Sequence, residues 1–350
     1  NATLDKNNDY KIVAEQYGAK YDLDDSISAF NKAKEGKEFE VKAKAIVPSI
    51  TKEDLEKNLF KDVLGEYTTN VSGSSVRKNN VRLAGEKCNV ILLPGEEFSY
   101  NQTVGKRTKE NGFGEAGAYL NGETVQEVGG GVCQTSSTLY NAVLNANLEI
   151  VERKNHQFVT SYVEAGMDAT VVYGMTDFKF KNTRKYPVKI IASAKNGVAT
   201  VSLYGIKESE EYTFSFRTVT VSTIPTSTKY VDDPTLVVGT EKVKQKGANG
   251  KKTETYITKM LNGKIVETKI LSRDTYDAMQ RIVLRGTKGG TKGATNTTTK
   301  TETNNTTKAE TTNTNNGTTN NKETNNKETN SGTTNKQQTT PSTEKQKTDA

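Results

Sequence analysis

The sequence predicts an α+β multidomain protein in which two mixed modules precede an all-β module and a disordered tail. Over residues 1–206, apolar residues at helical spacing alternate with short strand patterns, as in α+β domains. Over 207–287, Thr- and Val-rich alternating runs are separated by glycine turns, which is typical of an all-β fold. After Leu284 the chain has no Val, Ile, Leu, Met, Phe, Tyr or Cys. The tail over 288–350 therefore lacks the residues that form a core, and we expect it to be disordered.

Residues 1–62 form the first predicted module, a small α+β unit. A helix is predicted to begin near Asp24, and a strand with alternating apolar residues follows over 39–47 and stops at Pro48. A second helix is predicted after Thr51, which can cap it together with Asp54 three residues later.

The second predicted module, residues 65–206, contains a helix that directly follows three glycines. Apolar residues recur at helical spacing from Val132 to Leu148. Short strand patterns follow over 157–205, namely "QFVTSYV", "ATVVYG", "FKFKNT", "YPVKIIASA" and "VATVSLYG". These patterns predict an antiparallel sheet against which the helix packs.

The third predicted module, residues 207–287, is an elongated all-β unit. Its clearest signal is the pair Asn262-Gly263 between two alternating runs, because this dipeptide favours a two-residue hairpin turn.

Charge and cysteine content argue against several classes of function. The net charge of +7 comes without an Arg-rich stripe, so we expect no nucleic-acid partner, whereas a weakly basic surface suits anionic wall polymers. Two cysteines and one histidine make neither a disulfide framework nor an ordinary zinc site, and we expect no metal and no cofactor. The chain begins without an initiator Met or a signal peptide, so we expect a fragment or a mature form.

Three long motifs in the second module resemble the VanW family, which is named for an accessory protein of glycopeptide-resistance clusters. They are "LLPGEEFSYNQTVGKRTKENGF", "GGGVCQTSSTLYNAVLNANLEIVER" and "GMDATVVYGMTDFKFKN". The resemblance covers roughly residues 70–206. Residues 1–62 look like the C-terminal part of a peptidoglycan-binding module that often precedes VanW domains. Residues 207–287 are similar to the G-five domain, whose pattern is matched by Gly239, Gly247, Gly250, Gly263 and Gly286.

These resemblances imply a cell-envelope protein that binds peptidoglycan and other glycans containing N-acetylglucosamine. They imply an extracellular location, in the cell wall or anchored to the membrane through an absent N-terminal segment. They do not imply a settled reaction. Cys133 lies on the family's motif, whereas the family usually has an apolar residue near Cys88.

Cys133 at a helix start is the candidate nucleophile, since a helix N-terminus favours a thiolate. His156, the single histidine, follows 23 residues later, which is the order of a papain-like Cys/His pair, and Asp168 or Asp177 could orient its ring. A cysteine-dependent amidase, peptidase or acyl transferase acting on a wall stem peptide would use these residues.

Two other readings of the same residues stay open. Cys133 aligns with Tyr140 and Leu144 at helical spacing and could be a packing residue of a non-enzymatic wall-binding, adhesion or structural protein. Alternatively, the turn could bind a carboxylate without cleaving a bond. The residues of that ligand site would be Gly129, Gly130, Gly131, Gln134, Ser136, Ser137 and Arg107. A disulfide between Cys88 and Cys133 is also left open, because sequence alone cannot give their distance.

Overall fold

The computed structural model describes residues 1–120 and 123–289. These residues all belong to one compact unit, Asn1–Thr291. The chain is 17% helical and 44% strand, which confirms the predicted α+β class. Of the tail predicted over 288–350, residues beyond 289 lie outside the described part. None of the described helices is both long and apolar enough to span a bilayer.

The N-terminal region consists of two small hairpin-like sheets and two helices. Its elements are β1 (Thr3–Asp5), β2 (Lys11–Val13), β3 (Gly18–Tyr21), α1 (Leu23–Lys32), β4 (Ala43–Ile46) and α2 (Lys52–Asn58). Strand β1 pairs with β2 and β3 pairs with β4, both antiparallel. Helix α2 begins with the expected capping box, in which the side chains of Thr51 and Asp54 each accept a hydrogen bond from the other's backbone N–H.

The central region contains three helices and nine more strands. They are β5 (Asp62–Asn70), α3 (Ser75–Lys87), β6 (Ile91–Leu92), β7 (Glu97–Ser99), α4 (Tyr100–Val104), β8 (Glu115–Leu120), β9 (Glu123–Val128), α5 (Val132–Asn145), β10 (Glu149–Glu152), β11 (Lys179–Lys181), β12 (Val188–Lys195) and β13 (Val198–Gly205). The main sheet is antiparallel, in the order β5-β13-β12-β6. Strands β10, β11 and β7 form a second sheet, and β8 pairs with β9.

Helix α5 packs on the main sheet, as the sequence predicts. Leu139 and Val143 are fully buried and share one core with Ile190 and Leu203 of the sheet. A Cβ on Gly65 of β5 would lie 2.4 Å from the carbonyl oxygen of Ala142, so glycine lets strand and helix approach closely. This contact fixes the position of α5 and of the residues at its start.

Two predicted strands of the central region are wrong. "QFVTSYV" and "ATVVYG" lie in a connection between β10 and β11 that has no strand, apart from a single bridge between Val172 and Thr176. Hydrogen bonds from side chains, rather than a strand ladder, hold this connection in place, and strand propensity does not register such contacts. We call residues 153–178 the site loop.

The C-terminal region is all-β, as predicted. Its strands are β14 (Tyr212–Ile224), β15 (Thr228–Val237), β16 (Glu241–Gln245), β17 (Gly250–Leu261), β18 (Lys264–Tyr276) and β19 (Arg281–Lys288). They form two three-stranded sheets, β14-β17-β18 and β15-β19-β16. Asn262 and Gly263 have φ of 52° and 75° and join β17 to β18, so the predicted hairpin turn is confirmed.

Candidate active site

Cys133 is the second residue of α5, directly after the three glycines. Its partly buried side chain places the sulfur 3.4 Å from the carbonyl oxygen of Val171 and 3.9 Å from the hydroxyl oxygen of Thr170. In the part of the chain that the structure describes, the backbone N–H of Cys133 meets no hydrogen-bond acceptor. The thiol therefore lies where the helix dipole and a free amide favour negative charge.

The glycines before Cys133 form a turn that fits tightly against β8. Gly129 and Gly131 have φ of +90° and +107°, values that favour glycine. A Cβ on Gly130 would lie only 2.4 Å from the carbonyl oxygen of Ala116. The turn therefore needs glycine so that the backbone can pass β8 and enter α5.

Most amides of this turn are already used inside the protein. Gly129 N–H donates to the carbonyl of Gly114 over 3.0 Å, and Gly130 N–H donates to that of Glu127 over 3.1 Å. Both glycines are also buried. We therefore do not expect these two amides to bind a carboxylate, and the Cys133 amide is the better placed donor.

His156 lies in the site loop and contacts both Asp168 and Cys133. Its ring Nδ1 is 2.6 Å from Oδ2 of Asp168, and the same oxygen accepts the His156 backbone N–H over 2.7 Å. Its Nε2 is 3.3 Å from the hydroxyl of Tyr162, and the ring lies close enough to the Cys133 thiol for each group to shift the pKa of the other. The structure thus brings Cys133, His156 and Asp168 together in one row.

The pKa shifts of Cys133 and His156 favour an ion pair. Burial alone raises the pKa of Cys133, but the hydrogen bond and charge of His156, with smaller contributions from Val171 and Thr170, hold it below its usual value. Burial lowers the pKa of His156, but hydrogen bonds to Asp168 and Cys133, and their charges, raise it to about 9. Each partner therefore stabilises the charged form of the other.

Asp168 is a buried carboxylate with four hydrogen-bond donors. Besides the His156 ring and backbone, its Oδ1 accepts from the Tyr276 hydroxyl over 2.5 Å and from Arg153 Nη2 over 3.2 Å. Burial raises the pKa of Asp168, but the hydrogen bond and charge of His156, the charge of Arg153 and the Tyr276 hydroxyl lower it below the usual range. Asp168 therefore stays ionised and can hold an imidazolium.

Gln134, Ser136 and Ser137 are buried in α5, and their polar groups bond within the protein. The side-chain oxygen of Gln134 accepts a hydrogen bond from Arg77, and its side-chain nitrogen donates to Thr69 and Asn70 of β5. Ser136 donates to the carbonyl oxygen of Ala169 over 2.7 Å, and Ser137 accepts the Ala169 N–H over 3.0 Å. We therefore do not expect these three side chains to contact a ligand. The two serines instead fix the loop beside Asp168.

Arg107 packs against the glycine turn before α5. Its Nη1 donates to Asn101 over 2.7 Å, and its guanidinium lies over the rings of Tyr100 and Tyr173. Among the described residues, the buried Nη2 of Arg107 has no hydrogen-bond partner. Tyr100 in turn donates to the carbonyl oxygen of Val132 over 2.9 Å, which connects this cluster to the residue before Cys133.

A cavity of about 390 Å³ adjoins the Arg107 cluster. Its lining includes Asn101 and Tyr173, which both contact Arg107, together with Glu152, Thr176 and Lys179. A second depression, lined by residues of α3, β13 and their neighbours, lies elsewhere. Cys133 lines neither of them.

The remaining candidates lie apart from this row. Asp177 accepts from the Ser99 hydroxyl over 2.5 Å and from the Asn101 N–H over 2.8 Å, so it caps α4 rather than orienting His156. Cys88 is fully buried, burial raises its pKa to about 12, and both cysteines are free thiols. Within residues 1–120 and 123–289, no group of His, Cys, Asp or Glu side chains has the arrangement of a metal site.

Comparison with protein families identifies two domains in the chain. Residues 76–204 match the family described as VanW like protein, and residues 217–288 match the G5 domain. The chain carries a VanW-like domain followed by a G5 domain. The predicted resemblances to the VanW family and to the G-five domain are thereby confirmed, whereas the resemblance of residues 1–62 to a peptidoglycan-binding module stays a prediction. The two domains indicate a cell-wall-associated protein.

Two curated relatives share the VanW-like domain. The protein YoaR of Bacillus subtilis (strain 168) is 40% identical over 167 residues, which cover 47% of this chain and 55% of YoaR. The vancomycin B-type resistance protein VanW of Enterococcus faecalis (strain ATCC 700802 / V583) is 33% identical over 110 residues, which cover 29% of this chain and 40% of that protein. The chain thus spans about half the length of these relatives.

Two solved structures resemble the G5 domain. The G5 domain of IgA1 protease is 32% identical, covers 23% of this chain and 95% of its own, and has a TM-score of 0.17. The HP0197-G5 crystal structure is 29% identical, covers 22% of this chain and 99% of its own, and has a TM-score of 0.14.

Three residues of the site were not found from the sequence: Arg153, Tyr162 and Tyr276. Arg153 and Tyr162 belong to the VanW-like domain, whereas Tyr276 is the last residue of β18 in the G5 domain. Arg153 stands directly before the Lys-Asn-His run, and an arginine so near the single histidine is a signal that could have been used. Tyr276 had no comparable signal, because its contact with Asp168 joins residues 108 positions apart.

Proposed function

We propose that the VanW-like domain is a cysteine-dependent hydrolase or acyl transferase that acts on an amide of the peptidoglycan stem peptide. The observation that carries the proposal is the row of Cys133, His156 and Asp168, in which His156 bonds to Asp168 and its charge favours the Cys133 thiolate. A thiol at a helix N-terminus, paired with an imidazole that a carboxylate orients, is the arrangement that cysteine nucleophiles use.

In the first half of the reaction, the Cys133 thiolate attacks the carbonyl carbon of the scissile amide. The C=O π electrons move onto oxygen, and the Cys133 N–H, which is otherwise unpaired in the described structure, donates to that oxyanion. The imidazolium of His156 then gives its Nε2 proton to the leaving nitrogen. The C–N bond breaks, an amine departs and a thioester to Cys133 remains.

In the second half, neutral His156 removes a proton from water or from an acceptor amine. The nucleophile attacks the thioester carbonyl, the C–S bond breaks, and the sulfur leaves as the thiolate of the restored ion pair. Asp168 keeps Nδ1 protonated throughout, so that Nε2 is the nitrogen that exchanges protons. Water gives hydrolysis, and an amine gives acyl transfer.

Arg107 is proposed to bind an anionic group of the substrate. Its Nη2 is buried without a partner among the described residues, and the cavity of about 390 Å³ begins at two of its contacts, Asn101 and Tyr173. A guanidinium suits the planar carboxylate of a stem peptide. The ligand site predicted from the sequence therefore rests on Arg107 and the Cys133 amide.

The G5 domain is proposed to hold the chain at the wall by binding glycans that contain N-acetylglucosamine. Support comes from the family match over residues 217–288 and from the elongated sheets, which offer shallow faces rather than a deep pocket. The full chain should sediment with insoluble peptidoglycan. Release by N-acetylglucosamine oligomers is the expected result, and release by moderate salt alone would show nonspecific charge attraction instead.

Alkylation of the native protein tests the nucleophile. In a Cys88→Ala background, iodoacetamide should modify Cys133 at pH 6, where an ordinary thiol with a pKa near 8.5 is about 0.3% ionised. His156→Ala should move the reactivity to higher pH, because the thiolate loses its cationic partner. A Cys133 that reacts only after unfolding would end the proposal. Incubation with purified peptidoglycan, and mass spectrometry of the fragments beside a Cys133→Ser variant, then identifies the bond.

The competing function is wall binding without bond cleavage. Cys133 contacts the main core, as a packing residue does. That function predicts an inert or ordinary thiol, no fragment that depends on Cys133, and a loss of stability in Cys133→Ser with unchanged sedimentation.

A further inference from the structure

We propose that Tyr276 of the G5 domain is a positioning residue for Asp168, so that the G5 domain completes the site of the VanW-like domain. This inference rests on the function proposed above. Tyr276 has no exposed surface, and its hydroxyl donates to Asp168 Oδ1 over 2.5 Å. The same hydroxyl accepts the backbone N–H of Gly166 over 2.6 Å.

Donors from both domains hold the carboxylate of Asp168. Tyr276 holds Oδ1, while His156 holds Oδ2 through both its ring and its backbone. A carboxylate is planar, so rotation that frees one oxygen also moves the other. Tyr276 therefore fixes the orientation in which Asp168 faces the imidazole.

Arg153 makes a second buried connection between the domains. It lies between Asp168, 3.2 Å from Nη2, and Asp274 of β18, 2.6 Å from Nη1. The Arg153 and Asp274 side chains are both almost fully buried. Arg153 is therefore shared between two carboxylates. Without Asp274, its positive charge would interact with Asp168 alone.

The backbones of the two domains also meet at this point. Asn155 donates to the carbonyl of Thr275 over 2.8 Å, and Asp277 N–H donates to the carbonyl of Gln157 over 2.7 Å. Together with Asp274 and Tyr276, four consecutive G5 residues thus contact the site loop.

Gly166 shows how closely the domains fit. A Cβ at this residue would lie 1.9 Å from the hydroxyl oxygen of Thr255 on β17, and its φ is +92°. Phe216 of β14 and Leu271 of the G5 domain add apolar contacts to the main core. The polar contacts at Tyr276 are therefore part of a packed interface.

Burial and the charge of Asp168 raise the pKa of Tyr276 far above its ordinary value. Its hydroxyl therefore remains protonated and serves as a donor to the carboxylate at every pH at which the site would work.

Tyr276→Phe in the full chain tests this inference. The chain has one histidine, so the titration of the His156 ring by NMR is free of overlap. Without the Tyr276 hydroxyl, Asp168 turns toward Arg153 and holds the imidazolium less well. We expect the pKa of His156 to fall by about one unit. Tyr256→Phe is the matched control, because Tyr256 also donates to a carboxylate on the same sheet, that of Glu254.

An unchanged His156 titration in folded Tyr276→Phe would overturn the inference. If that variant does not fold, Asp274→Asn provides the same test, because the charge of Arg153 then acts on Asp168 alone and should also lower the pKa of His156. The NMR result does not require a reactive thiol. A Cys133 that is inert in the unmodified chain would thus defeat the proposed function, while the His156 titration would still decide the role of Tyr276.

Discussion

His156 Nδ1 lies 2.6 Å from Asp168 Oδ2, and this bond joins two residues that no helix or strand contains. The site loop that carries both is held from the VanW-like side by Ser136 and Ser137, whose hydroxyls bond to Ala169. The precision of the site therefore comes from polar contacts with α5 and with the G5 domain. Of Cys133, His156 and Asp168, only Cys133 lies in a helix or strand.

Asp168→Asn should lower the pKa of His156 from about 9 toward or below its ordinary value of about 6.5. A neutral amide neither attracts the imidazolium nor keeps its proton. At pH 7.5 the alkylation rate of Cys133 should fall by about tenfold, since the thiolate depends on protonated His156 and an imidazole with a pKa near 6.5 is then only about 9% protonated. The NMR titration and the rate are measured on the same variant.

Asp177→Asn is the matched control for this change. Asp177 is also a buried carboxylate with several donors, but they belong to α4 and its neighbours. Asp177→Asn should lower the melting temperature without changing the pKa of His156. Equal shifts in both variants would mean that the effect reports general loosening rather than orientation by Asp168.

Gly130→Ala should destabilise the fold by about 1–3 kcal/mol, because the new Cβ would lie 2.4 Å from the Ala116 carbonyl oxygen. The strain falls on the turn before Cys133, so the thiol should also lose its reactivity at low pH. Urea unfolding gives the free energy, and alkylation reports the site.

Gly117→Ala on the same strand β8 is the comparison, since nothing lies within 4 Å of the Cβ it would add. It should leave both measurements nearly unchanged. If Gly130→Ala behaves like Gly117→Ala, the tight packing of the turn does not matter for the site.

The sequence predicts the parts of this protein that depend on local pattern. The capping box at Thr51, the α5 helix and the Asn262-Gly263 hairpin are where spacing and turn chemistry place them. Cys133 and His156 could be paired because each is the rare reactive residue of its region and because the order of the two is informative.

The rest depends on contacts between distant residues. The sequence alone does not distinguish Asp168 from Asp177 as the partner of His156. In the fold, Asp168 contacts His156, whereas Asp177 contacts α4. In the sequence, Ser136 and Gln134 look like ligand donors at a helix start, but in the structure both side chains are buried. Tyr276 is separated from Asp168 by several strands, so no local pattern could connect them.

Arg107→Ala should weaken the binding of a synthetic stem peptide that ends in a free carboxylate. The substitution removes the charge-assisted hydrogen bond that Nη2 would donate to the carboxylate, and such a bond is worth roughly 1.5–3 kcal/mol, or about tenfold or more in Kd. Calorimetry with Cys133→Ser protein measures the binding without turnover.

Two controls locate that effect. The same peptide with an amidated C-terminus should bind the unmodified chain and Arg107→Ala equally. Arg217→Ala, which removes an exposed arginine over the ring of Tyr256 in the G5 domain, should leave Kd unchanged. If Arg107→Ala weakens both peptides alike, Arg107 supports the fold rather than the carboxylate.

Arg153→Met should cost about 3–5 kcal/mol at pH 7, because it leaves the buried Asp168 and Asp274 without their shared cation. The loss should shrink in acid. The pKa of Asp168 is lowered in the folded chain, so the stability it contributes is present above about pH 3.9 and is lost as pH falls through the folded value. In Arg153→Met that pKa rises, so this carboxylate stops favouring the folded state and protonation relieves its burial.

Urea unfolding at pH 7, 5 and 4 measures the difference between Arg153→Met and the unmodified chain. The difference should be largest at pH 7 and smallest at pH 4. Arg273→Met is the control, because Arg273 is an exposed residue of the same strand β18 and pairs with Glu254 of β17. This substitution should change the free energy of unfolding little at any of these pH values. A loss in Arg153→Met that is equally large at pH 4 and pH 7 would come from the missing packing of the arginine stem. The carboxylates of Asp168 and Asp274 would then not need Arg153 for charge balance, and the electrostatic link between the two domains would have to rest on Tyr276 alone.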